Sequence, residues 1–74
     1  MFGISKEVIE RLKAEYPVGA KVELLKMNDP YHRMPTGIKG EVIGVDDIGT
    51  IHVSWENGSQ LGIAYGEDSC RRIR

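Results

Sequence analysis

The chain has 74 residues, 41% hydrophobic and 28% charged, with a formal net charge of −1 and one cysteine. That length holds one domain with a small core, and the composition is that of a folded globular protein rather than a disordered one. The near-neutral charge excludes a non-specific nucleic-acid coat, the lone Cys70 excludes an intramolecular disulfide, and no apolar run approaches the length of a membrane span.

Ser5 is placed to cap a helix, its hydroxyl accepting from an amide of the first turn. Lys6 to Glu15 are good helix formers, and Val8, Ile9, Leu12 and Tyr16 fall on one helical stripe. Pro17 ends the helix near Glu15 or Tyr16, because the residue before a proline avoids the α region. So short a helix is marginal alone in water. It must cap an open end of the strands or pack on a second copy of the chain. The opening MFGISKEVIE lacks a basic segment followed by a long apolar run, so no secretory leader is expected. With the single cysteine, this points to the cytoplasm.

From Ala20 the period changes to two. Val22 and Leu24 face one side and Lys21 and Glu23 the other, which gives a first strand over Ala20 to Lys26. The segment Met27 to Gly37, MNDPYHRMPTG, has neither period and reads as a long loop. Lys39 to Val45 is a second strand, in which Val42 and Val45 both face inward only if the strand bulges at Gly44. Asp46 to Gly49 is a turn, with aspartates that bond nearby amides. Thr50 to Trp55 alternates, with Ile51, Val53 and Trp55 on one face and Thr50, His52 and Ser54 on the other. Asn57-Gly58 is a strong hairpin signal. Gln60 to Ala64 is a fourth strand with Leu61 and Ile63 inward, Tyr65 to Ser69 a tight helical turn, and Cys70 to Ile73 a short fifth strand. Five short strands suit a small barrel, because closure removes exposed edges.

The residues Tyr16-Pro17-Val18-Gly19, Asp29-Pro30-Tyr31, Gly37 with Gly40, Val45-Asp46-Asp47-Ile48-Gly49, His52-Val53, and Trp55 with Asn57-Gly58 together resemble a family of short domains of unknown function. Its members come mainly from Gram-positive bacteria, their phages and their conjugative elements. The likeness runs from Tyr16 to Ile73. It implies a mainly β fold: a small SH3-like (KOW/Tudor-type) five-stranded barrel over 16–74, with residues 1–15 as an added N-terminal amphipathic helix. It also implies that Met27–Thr36 stands where the long first loop of SH3-like folds often lines a binding groove. The family carries no established activity, so no catalytic residue comes with it.

The residues themselves offer little for catalysis. His32 and His52 are separated by a strand and a loop, and Cys70 joins them only through tertiary structure. A nucleophile needs a base within hydrogen-bond reach, and no nucleophile elbow, phosphate loop or metalloprotease motif is present. Zinc prefers four nitrogen or sulfur ligands, often in close pairs, which this sequence does not supply. No enzyme activity, cofactor or metal is expected.

Two binding readings remain. In the first, the module contacts another protein through Tyr31, His32, Arg33 and Met34, with Trp55 and Tyr65 at the edge. Aromatic rings and methionines give large, adaptable contact area. Trp55 has a competing place in the core, since it shares the inward face of its strand. In a phage or mobile element such a module would block or redirect a host factor, an inhibitor of a defence system being one version. In the second, Lys26, Arg33, Lys39, Arg71, Arg72 and Arg74 hold nucleic-acid phosphates. Either way the chain is expected to act as a monomer or weak homodimer.

Overall fold

The computed structural model describes residues 5–28 and 34–73. The helix α1 spans Lys6–Glu15, and the Ser5 hydroxyl accepts from the Val8 amide at 3.2 Å, as the cap requires. The helix stops at Tyr16, whose N–H donates to Leu12 O at 2.8 Å, one residue before Pro17. Ile9 and Leu12 are buried, and Val8 and Tyr16 pack against the core. The stripe is therefore covered by the chain's own strands.

Five strands follow: β1 (Lys21–Lys26), β2 (Lys39–Val45), β3 (Thr50–Trp55), β4 (Gly62–Ala64) and β5 (Ser69–Ile73). They form one antiparallel sheet in the order β4-β3-β2-β1-β5. The β2–β3 register shifts between Val42 and Gly44, which is the expected bulge. It leaves Val42 fully buried and Val45 half-buried. Both tight hairpins around β3 have three-residue loops of one type. Asp46 N–H donates to Thr50 O and Gly49 N–H to Asp46 O; Trp55 N–H donates to Ser59 O and Gly58 N–H to Trp55 O. Gly49 and Gly58 close these loops with φ of 85° and 88°, a region that favours glycine.

β4 is shorter than the sequence suggests. Leu61 O is taken by the indole N–H of Trp55 at 2.9 Å, so Gln60 and Leu61 bend away from the ladder. The sheet is also open. The edge strands β4 and β5 approach each other but share no ladder. Ala64, at the end of β4, donates its N–H to Asp68 Oδ2, and its C=O accepts from Glu67 and Asp68. The Tyr65–Asp68 turn thus uses the groups that would begin a closing ladder.

The core consists of Leu12, Ala20, Val22, Leu24, Val42, Ile51, Val53, Trp55 and Ile63. The helix crosses one end of the sheet. Lys13 Nζ lies 3.7 Å from Asp47 Oδ1 in the β2–β3 turn, and Arg72 of β5 donates to Glu15 O at 3.2 Å. No helix among the described residues is long and apolar enough to cross a membrane.

Candidate functional site

Of the residues singled out from the sequence as a protein-docking surface, the structure describes Met34, Trp55 and Tyr65, and these three lie apart. Tyr31, His32 and Arg33 lie outside the described residues, as does Arg74. Met34 is half-buried against the core, as is Met27 from the start of the same loop, so both are largely occupied in packing. Met34 Sδ lies 3.6 Å from Asn57 Nδ2, beside the β3–β4 hairpin. Trp55 is 3% exposed, which places it in the core rather than on a docking face. It contributes to the wall of one groove, of about 350 Å³, together with Lys21, Lys39, Gly40, Glu41 and Ile73. Tyr65 is 51% exposed and lines a different groove.

Among the described residues, the basic side chains are largely compensated. Arg71 and Arg72 are neighbours on β5, so their side chains leave on opposite sides. Arg71 Nε and Nη2 both reach Glu23 Oε1 at 2.7 Å. Arg72 goes to the helix C-terminus, where a cation complements the dipole. Glu23 also stands opposite Lys39 in the β1–β2 register, and Lys21 Nζ contacts Glu41 Oε1 at 2.7 Å. The outer sheet face thus interleaves opposite charges. Lys26 and Lys39 are exposed, and because β1 and β2 are antiparallel the end of one and the start of the other lie at the same end of the sheet.

A further groove, of about 450 Å³, lies at the seam between β4 and β5. α1 supplies Leu12, Glu15 and Tyr16 to its wall; Ile51 and Ile63 come from β3 and β4, Tyr65 and Asp68 from the turn, and Cys70 from β5. It exists because the sheet does not close: the two edges diverge around the turn, and the last turn of the helix covers only part of the gap. The Tyr16 and Cys70 side chains are neighbours in this wall. Burial pushes the Cys70 thiol up to about 11, with the Tyr16 hydroxyl acting the other way, so the sulfur is a neutral thiol at pH 7 rather than a nucleophile. Burial likewise raises Tyr16, with Cys70 and Glu15 adding to the effect. Asp68 is held by two backbone amides, Asn28 on Oδ1 at 2.7 Å and Ala64 on Oδ2 at 3.0 Å.

Sequence reasoning chose Tyr65 but missed Glu15, Tyr16, Asp68 and Cys70. The available signal was Tyr16, an aromatic residue at the very end of the helical stripe, where coverage by the sheet runs out. Among the described residues, no three of His, Cys, Asp and Glu converge as a metal site.

His52 has a closer partner than its strand position suggested. Its Nε2 lies 2.8 Å from Asp46 Oδ2, while Asp46 Oδ1 accepts from Ile48 N at 3.1 Å and Thr50 N at 2.9 Å. The bond to His52 is the main reason that the Asp46 carboxyl sits below its ordinary value of 3.8, with the Thr50 amide next. A depressed carboxyl stabilises the fold above its unfolded value and loses that contribution as pH falls through the folded one. Asp46→Ala is therefore expected to cost about 1–2 kcal/mol at pH 7, the exposure of the site keeping the figure low. The gap to wild type should narrow below about pH 4. Urea midpoints at pH 7 and pH 2.5 test this, and an unchanged gap would show that the carboxylate charge plays no part.

Residues 5–73 match the model of a family described as Domain of unknown function (DUF4314). The match takes in α1 as well as the five strands. No curated protein and no solved structure matches the chain.

Proposed function

The chain belongs to the DUF4314 family, and we propose that it is a non-enzymatic binding module of the small SH3-like barrel type that docks another protein. The observation that carries this reading is the seam groove. It joins an apolar floor of Leu12, Ile51 and Ile63 to a half-exposed Tyr65 at the rim. Tyrosines in such positions give contact area with a polar tip. The neutral Cys70 thiol supports a binding role over a nucleophilic one. Tyr31, His32 and Arg33 enter the proposal from the sequence alone, as the long-loop part of the docking surface, with Met34 fastening that loop to the core. The resemblance adds a setting, a phage or mobile element in the cytoplasm of its host, where the module would block or redirect a defence factor.

The test is a tagged pull-down from host lysate, split into nuclease-treated and untreated halves, with wild type, Tyr31→Ala and Tyr65→Ala. A protein retained after nuclease and lost with Tyr65→Ala is the expected result. Recovery that vanishes with nuclease and falls steeply with salt would instead favour phosphate binding through Lys26, Lys39, Arg71 and Arg72.

A further inference from the structure

The seam groove has a wall chemistry that its apolar floor does not require. Two tyrosine rings, Tyr16 and Tyr65, and two carboxylates, Glu15 and Asp68, line it, and no lysine or arginine does. Aromatic faces and carboxylates both attract a cation. Arg72 of β5 stands at the edge of the groove, where it donates to Glu15 O and its charge acts on Tyr16, but its guanidinium is engaged by that carbonyl and leaves the carboxylates of Glu15 and Asp68 to an incoming cation. The floor of Leu12, Ile51 and Ile63 suits an aliphatic stem beneath a charged head. From this complementarity we propose that the groove receives the ammonium group of a lysine side chain presented by the docked protein.

Lysine fits better than arginine. Each oxygen of Asp68 already accepts one backbone N–H, which leaves a single lone pair on each and narrows the room for a guanidinium fork. Its charge still attracts a compact ammonium. Tyr16 is held by its packing against the core, while Tyr65, 51% exposed, is accessible from solvent. The inference rests on the protein-docking reading and specifies what the docked surface must carry.

Titration of the ¹⁵N-labelled full chain with blocked tripeptides separates the two. A glycine-lysine-glycine peptide is expected to shift the amides of Tyr16, Tyr65, Gly66 and Cys70. Its Kd should be at least about threefold lower than that of the norleucine analogue, the discrimination set by cation–π attraction and the carboxylates. Tyr65→Phe should retain this preference, whereas Tyr65→Leu and Glu15→Gln should each weaken lysine binding by about two- to fivefold. Both positions are exposed, and urea midpoints confirm that the variants fold. Equal binding of norleucine, or tighter binding of the arginine analogue, would overturn the lysine assignment while leaving the groove as a docking site. Shifts absent from all groove amides would remove the site from both proposals.

Discussion

Replacing Trp55 with alanine is expected to remove most of the domain's stability. The side chain is 3% exposed and belongs to the central cluster with Val22, Val42 and Val53. Truncating a buried tryptophan costs about 3–5 kcal/mol, through lost burial and the cavity left behind. A single core in so short a chain supplies only about 3–5 kcal/mol in total. The indole also donates to Leu61 O at 2.9 Å, so the variant leaves that carbonyl without its partner and loosens the entry to β4. Trp55→Phe keeps an aromatic ring and loses the N–H, and should cost less, about 1–2 kcal/mol. Far-UV circular dichroism against urea measures both. A loss below 1 kcal/mol for Trp55→Ala would contradict the core assignment. The result bears on function as well: loss of a partner by a Trp55 variant would report unfolding, not a severed contact.

Most of the scaffold was legible because its signals are local. The bounds of α1 follow from the Ser5 cap and from Pro17. β2 and β3 begin and end where their alternation does, and the bulge follows from the spacing of Val42 and Val45. The errors arise where a distant residue intervenes. β4 loses Gln60 and Leu61 because an indole five to six positions earlier takes the Leu61 carbonyl. The sheet stays open where Asp68 folds back onto Ala64. Met27 and Met34, at the two ends of the long loop, pack partly against the core, a contact that no local period announces. The groove was hardest to foresee, since Tyr16 and Cys70 meet only once β5 has paired with β1 and the helix has crossed the sheet end. No period or motif announces such a meeting.

Gly40→Ala is expected to be nearly as disruptive as loss of Trp55, although it adds one methyl group. A Cβ at Gly40 would lie 2.6 Å from Val53 Cγ1, 2.8 Å from Ser54 O and 2.8 Å from Trp55 Cε3. None of these gives way easily. Ser54 O is backbone in β3, an interior strand of the sheet, and the Trp55 ring is tethered through its N–H to Leu61 O. Overpacking of this kind costs about 1–3 kcal/mol and sometimes more, and the rigid neighbours place Gly40→Ala at the upper end. Gly44→Ala is the internal control in the same strand. Its Cβ would meet no heavy atom within 4 Å, and Gly44 does not have a positive φ. There alanine should be neutral or stabilise by up to about 1 kcal/mol, by restricting the unfolded chain. Urea midpoints at pH 7 compare the two, and similar midpoints would show that β2 and β3 do not approach as closely as the structure has them. A Gly40→Ala/Val53→Ala double variant adds a sharper check. Removing Val53 Cγ1 relieves one of the three contacts, so the pair should cost less than the sum of its singles, as neighbours that share a contact do. Strict additivity would place the strain elsewhere than at the packed face of β3.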